Sequence, residues 1–393
     1  MFQRIMSHHS NGVYQLNLIG MCILTALFSS QAHAYYSNDY VTLNGFGTMG
    51  MSYYDSKANK YTTNGLKTQG PGGPDGAWSG ALDSRIGLQA QTSYKDLTGV
   101  VQVITSKNNN GNIRPSVEWL NLKYDFVPAF SVRAGRIVLP TYMHTESMYV
   151  GYASNWARVP VDAYSLIPIT NVDGVEGIFR FTYKKITNNL TLHMGSTKVH
   201  HPGGGTTKAN SIRGFVNDTT YGDFKLHLGY LGTELDTDLF DKLIAQFTPM
   251  LIAMFPKEYA SATRLKKQDV RIGSIGMGYD DGKAFGSTEM TWTKGDNLGI
   301  MRGLYVHGGY RIGNWSPYAM LTNKRTLQSF IGTNTGINNH TISLGTRWDF
   351  MKNTNLKLQY DRVTFQNTAG KDLKPQGSSV TNNVLTLLVD FVF

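Results

Sequence analysis

Between Leu139 and Asp173 the sequence gathers rings and charges of both signs: Tyr142, Glu146, Tyr149, Tyr152, Trp156, Arg158, Asp162 and Tyr164. Stacking surfaces beside ionised groups suit contact with small hydrophilic solutes, and the 35-residue segment is the longest stretch lacking regular patterning. Loops beyond roughly 12–15 residues are commonly functional. Pro140, Pro160 and Pro168 stiffen it. Elsewhere Arg85, Lys123, Arg133, Arg180, Lys225, Arg311, Arg347 and Lys357 alternate with apolar neighbours, as do the acids Asp83, Asp125, Glu176, Asp349, Asp361 and Asp390. Basic groups facing Glu146 and Asp162 would create a transverse field across an opening. A net-positive interior would enrich anions.

Other chemistries are weaker. His144, Glu146 and Ser147 are neighbours, but Ser near His in sequence is poor evidence of a catalytic triad. The His8-His9 pair would be lost with the N-terminal leader and His200-His201 sits in a Gly-rich stretch with no nearby third ligand, so neither a metal nor another cofactor is expected.

The elements that carry these residues repeat every second position. Leu120, Leu122, Tyr124 and Phe126 oppose Asn121, Lys123 and Asp125; Phe224, Leu226, Leu228 and Tyr230 oppose Lys225 and His227. The same holds for Val175, Phe179, Phe181 and Tyr183 against Glu176, Arg180 and Thr182, and for Leu82, Ile86 and Leu88 against Asp83, Arg85 and Gln89. Such alternation marks strands with two unlike faces. Sixteen segments of this kind are expected, at 41–54, 82–94, 97–107, 116–126, 130–138, 174–183, 189–196, 210–221, 224–233, 268–280, 283–294, 303–312, 315–325, 338–349, 355–365 and 381–393. Long and short connections alternate between them. An all-β, antiparallel transmembrane barrel follows, with its apolar face in lipid, because Arg or Lys at mid-bilayer costs about 2–4 kcal/mol. The charged face is then the interior, expected to hold water rather than a packed core. Tyr94, Tyr124, Phe126, Tyr183, Tyr230 and Trp348 at strand ends suit interfacial girdles. Arg136 breaks parity after Gly135, which suggests a bulge.

Residues 1–34 read as a Sec signal peptide. Arg4 is the only charge before Asp39, an apolar run from Leu18 to Phe28 follows, and Ala32-His33-Ala34 forms the cleavage site. Met21 before Cys22, the chain's one cysteine, does not fit lipoprotein processing. No run of 18 apolar residues offers a helical span. The net charge of +10 favours anionic solutes or lipopolysaccharide phosphates over nucleic acid, which a secreted chain rarely meets. Within the outer connection 234–267, Leu239, Phe240, Leu243, Ile244, Phe247, Met250, Leu251, Met254 and Phe255 recur at helical spacing, so an amphipathic helix kinked at Pro249 is expected over the barrel mouth or a neighbouring subunit.

Leu385, Leu387, Val389, Phe391 and Phe393 alternate to the C-terminus, a pattern that resembles the closing strand of bacterial outer-membrane barrels. With sixteen strands, a signal peptide and the opening Val41-Thr-Leu-Asn-Gly-Phe-Gly, residues 35–393 resemble the Gram-negative general porins in layout. The Pro-Glu-Phe-Gly-Gly loop motif of that family is absent. The resemblance implies an outer-membrane homotrimer of water-filled channels, each narrowed by its third outer loop, here 139–173. Strand parity and the composition of that loop set the pore-lining expectation at Arg85, Lys123, Arg133, Arg180, Arg347, Glu146, Tyr149, Trp156, Arg158 and Asp162. A weakly anion-preferring diffusion porin is the expected function. A channel specific for sugars, aromatic compounds or carboxylates is the alternative, ahead of an adhesin-like barrel or an outer-membrane hydrolase. The sequence carries no plug-domain pattern, so energised uptake is not expected.

Overall fold

The computed structural model describes residues 36–38, 40–56, 61–63, 70–72, 77–108, 111–166, 169–201, 205–238, 241–245, 247–264, 266–296, 299–328, 337–367 and 379–393. The expected signal peptide, Pro168, Leu239 and Phe240 lie outside them.

Sixteen long antiparallel strands close on themselves: β1 (Val41–Tyr54), β2 (Arg85–Tyr94), β3 (Leu97–Lys107), β4 (Ile113–Val127), β5 (Phe130–Val138), β6 (Asn171–Tyr183), β7 (Ile186–His200), β8 (Thr206–Tyr221), β9 (Phe224–Thr237), β10 (Lys267–Asp280), β11 (Ala284–Gly295), β12 (Gly299–Tyr310), β13 (Trp315–Gln328), β14 (Ile337–Met351), β15 (Thr354–Asn367) and β16 (Ser379–Val392). Two-residue strands at Tyr36–Ser37 and Trp78–Ser79 pair with β1. Each long strand pairs with its sequence neighbours, and β16 pairs with β1 from Val384↔Tyr54 to Val392↔Phe46. Closure leaves no long edge strand unpaired, which is what a sheet in hydrocarbon needs.

The seam is built by the terminal aromatics. The rings of Phe393 and Phe391 lie where a β-carbon on Gly45 or Gly47 would sit, at 2.2 and 2.3 Å from those positions. The Gly45 amide donates to the Phe393 carbonyl at 2.7 Å. Glycine there is required by close approach of a ring.

Face parity is as the alternation implies. Leu120, Leu122, Tyr124, Phe126, Val175, Phe179, Phe181, Leu226 and Leu228 are exposed outward, while Asn121, Glu176, His193 and His227 are buried inward. At the end with short turns, Phe126, Phe130 and Phe179 stack in series, and Trp315 stacks on Trp348 at 5.1 Å. Three expectations need correction. Leu82 does not face lipid; β2 begins at Arg85, and Leu82 packs with Tyr54 and Tyr61 inside. Several strands also rise further outward than expected, β6 from Asn171 and β9 to Thr237, so the third outer connection spans 139–170 and the fifth 238–266. Nor is the fifth connection one kinked helix: it forms α2 (Asp241–Ala245), α3 (Pro249–Met254) and α4 (Pro256–Arg264). Pro249 starts α3 behind a Thr248 cap, since proline at the first helical position loses no hydrogen bond. Met250, Met254 and Phe255 are exposed rather than packed on this barrel's mouth. Arg136 follows Gly135, whose φ is +123°, and pairs outside the wall with Asp173 at 2.7 Å.

Candidate functional site

The segment after β5 passes inside the barrel, where water cannot satisfy every backbone group. A buried loop must find a partner for each carbonyl and amide, and the inward residues supply them. Ser274 donates to the Thr141 carbonyl at 2.7 Å, and Arg85 Nε to that of Tyr149 at 2.6 Å. Lys357 Nζ reaches the Gly151 carbonyl at 2.6 Å; Arg347 reaches those of Tyr152 and Ser154 at 2.6 and 3.1 Å. Thr291 donates to the Ala163 carbonyl at 3.0 Å. On the amide side, Met143 donates to Glu289 at 2.9 Å and Ala157 to Gln359 at 3.0 Å. Parity places Arg85, Arg347 and Lys357 inward, and the structure has them tie the loop down.

Arg158 is a buried anchor of the loop with several bonds to the wall. Its guanidinium bonds Asp83 at 2.7 and 3.1 Å, Asp361 at 3.3 Å, Ser52 at 3.2 Å and Thr386 at 2.7 Å, with Tyr61 covering it at 5.4 Å. Burial alone would lower the Arg158 pKa, but the Asp83 carboxylate overrides it and holds the pKa above its ordinary value. Burial likewise opposes ionisation of Asp83, yet the Arg158 charge keeps its pKa below the usual carboxylate value. Lys357 and Asp390 form a second buried pair at 2.9 Å, beneath Gly151. A β-carbon on Gly151 would lie 2.0 Å from Asp390 Oδ1. A single glycine lets the loop come that close.

The loop's rings face the wall. Tyr142, Trp156 and Tyr164 cluster with Phe285, Tyr305, Tyr318 and Met320. Tyr164 also donates to Glu289 at 2.8 Å. A second cluster joins Ile137, Leu139 and Val172 to Ala209, Ile212, Leu231, Val270 and Ile272. The interior is thus packed over much of β8–β15, not simply filled with water. Sequence parity missed this because a loop brings its own apolar face into the lumen.

The expected pore residues fall into two groups. Arg85, Arg347, Trp156, Arg158 and Asp162 lie at the loop–wall contact; Asp162, on α1 (Val161–Tyr164), accepts from Thr322 and, at 2.9 Å, from Thr341. The Tyr149 backbone belongs there too. On the other side, Lys123 pairs with Asp125 at 2.9 Å, Arg133 with Glu176, and Arg180 with Ser131 at 2.6 Å and Asp125 at 3.7 Å. These three keep partly exposed side chains. Glu146 is exposed on the loop. Sequence reasoning did not single out Glu289 or Tyr61. Glu289 shares inward parity with Phe285 and Thr291 and could have been found, whereas Tyr61 arrives from a connection with no periodicity.

The hydrolytic arrangement does not assemble. Ser147 Oγ donates to the His144 carbonyl at 3.4 Å, not to its ring, which stands edge-on to Trp156 at 4.9 Å. Burial, with Lys225 nearby, lowers the His144 pKa to about 4. His200 and His201 each contact a threonine, Thr206 and Thr207.

No protein-family model matches the sequence, and no curated protein does. Solved structures do. The outer membrane channel DcaP of Acinetobacter baumannii shares 12% identity over 92% of this chain and 100% of its own, with a TM-score of 0.61. The anion-selective porin from Comamonas acidovorans shares 15% over 90% and 99%, at 0.52. OmpT of Vibrio cholerae in its trimer form shares 12% over 90% and 100%, at 0.53. At such identities the likeness speaks for the fold, which is that of the sixteen-stranded outer-membrane porins.

Proposed function

We propose that this protein is an outer-membrane porin in which small hydrophilic solutes diffuse past the latched loop, along the arc of wall that carries Lys123, Arg133 and Arg180. The asymmetry of the interior carries this reading: the loop is tied to β9–β16 and β1–β2, while those three bases stay partly exposed beside Asp125 and Glu176, with the exposed Glu146 of the loop within electrostatic reach of Glu176. The accessible bases of this arc, in a chain of net charge +10, support a weak anion preference, and the Comamonas porin of the same fold is described as anion-selective. The outward residues of β1–β4, among them Met51, Ile86, Leu88, Val101 and Leu120, form a largely apolar wall suited to a homotrimer contact. Outer-membrane lipid and lipopolysaccharide would cover the rest. Residues 1–34 would direct export and be removed. The burial of Trp156, Tyr142 and Tyr164 speaks against a ring-stacking path for sugars or aromatic compounds.

The test is planar-bilayer recording of the purified protein under a salt gradient. Conductance in groups of three steps with an anion-selective reversal potential is expected. A silent bilayer would overturn the channel, and a cation-selective potential would overturn the role given to the basic arc.

A further inference from the structure

The outside of the barrel carries charge where a lipid-facing wall should not. On β12, Gly303, Tyr305 and His307 are buried inward while Leu304 and Val306 are exposed outward, so Arg302 shares the outward face. Arg325 on β13 shares it with the exposed Leu321 and Leu327, and the register sets Arg302 directly opposite Arg325. Next along, Trp292 faces Arg302 from β11, with Lys294 two residues further outward. Like charges directly opposite one another destabilise a sheet pair. Among the described residues none of these three bases forms an ion pair with a carboxylate.

Their height explains the arrangement. Arg325 lies ten residues beyond Trp315 of the opposite aromatic girdle, which on a strand tilted about 40° is a rise of about 25 Å, the full height of the apolar band. At that level the cost of a basic side chain falls to roughly 0–1 kcal/mol, and phosphate groups of lipid begin. Two guanidiniums offer bidentate hydrogen bonds to phosphate oxygens, and the Lys294 ammonium adds a point charge. Trp292 supplies an amphipathic ring at the same boundary.

We infer that Lys294, Arg302 and Arg325 form a seat on the lipid face of β11–β13 for the phosphate of an outer-leaflet glycolipid. The seat rests on the outer-membrane placement and not on the channel being open. The experiment is native mass spectrometry of the detergent-solubilised full barrel, titrated with bisphosphorylated lipid A and with its dephosphorylated counterpart. A preference of about 10-fold or more for the phosphorylated form is expected, equivalent to about 1.4 kcal/mol. The Arg302→Gln/Arg325→Gln double variant should abolish that preference, and Lys185→Gln, at a short turn on the opposite end, should keep it. Arg302→Lys/Arg325→Lys, which retains charge, should keep part of it. If the glutamine variant does not yield a barrel with heat-modifiable mobility, Lys294→Gln alone is expected to lower the preference about threefold. Equal binding of the two glycolipids overturns the seat, as does a preference that survives loss of both arginines. Displacement of the glycolipid by equimolar inorganic phosphate would overturn a lipid seat in favour of a free-phosphate site. Bilayer recording of the same wild-type preparation separates the readings: a silent barrel that prefers phosphorylated glycolipid would sink the channel and leave the seat standing.

Discussion

Two arcs of one inner wall use the same residue types for different ends. From β9 round to β2, Arg85, Arg347 and Lys357 each give a donor to the loop's carbonyls, even where they also pair with an acid, Arg347 with Asp349 and Lys357 with Asp390, and Asp83 and Asp361 grip Arg158. From β4 to β6, Lys123 pairs with an acid on its own strand, Arg133 with one on the next strand and Arg180 with one two strands away, and all three stay partly exposed. Facing into a barrel is therefore not the same as facing a solute. What separates the arcs is whether a loop backbone has come within reach and must be satisfied.

The sharpest way to break this contrast is Arg158→Ala. It leaves Asp83 and Asp361 buried without their cation. Removing one partner of a buried pair costs about 3–5 kcal/mol, more than the remaining straps are expected to absorb locally. Single-channel recordings should change from steady to noisy openings, with proteolytic nicking appearing between 141 and 166. Steady wild-type traces would show that Arg158 is not the anchor. Lys357→Met should act in the same direction at about 3 kcal/mol or more, because Asp390 is left uncompensated and the Gly151 carbonyl loses its donor. Combining it with Asp390→Leu should recover part of the loss, since exchanging both partners of a buried pair for apolar groups is often neutral. A double variant no steadier than the single one would argue against that pairing.

How far the sequence alone carries this picture differs between wall and loop. Period-two alternation read the strands to within a few residues, because hydrocarbon outside and polar groups inside enforce parity on every strand. It also put Arg85, Asp83, Asp361, Lys357 and Asp390 inside. Their partners were illegible: Arg158 reaches Asp361 across 203 positions of sequence, a contact that follows from the loop's path and from no local pattern. The outward rise of β6 and β9 was missed for a related reason. Beyond the bilayer the outer face is wet, and alternation fades although the ladder continues.

Acid tests the latched arc from a different side. The pKa of His144, lowered to about 4 from 6.5, means the folded loop favours the neutral ring. That contribution is complete above pH 6.5 and is lost progressively as the pH falls towards 4, at most about 3 kcal/mol. The Asp83 pKa is also lowered, so its contribution is complete above its ordinary value of 3.8 and fades only below it. Loop loosening should therefore come in two stages on acidification, the first removed by His144→Phe and the second untouched by it. One stage in the wild type, or an unchanged first stage in the variant, would mean His144 does not report on the loop's seat.

The smallest structural effect belongs to the open arc, and there it sharpens the contrast most. Lys123→Gln removes a charge from a partly exposed pair with Asp125, worth about 0–1 kcal/mol, so heat-induced unfolding should hardly move. The reversal potential should nevertheless shift towards cations, because one base is gone from the proposed passage while its acids remain. The shift should shrink in strong salt, where the Debye length falls to about 3 Å at 1 M. The same loss of charge at Arg347, whose Nη1 holds the Tyr152 and Ser154 carbonyls while Nε and Nη2 pair with Asp349, should instead disturb gating more than selectivity. If both variants shift selectivity equally and neither disturbs gating, the two arcs are one surface, and the division of labour between them fails.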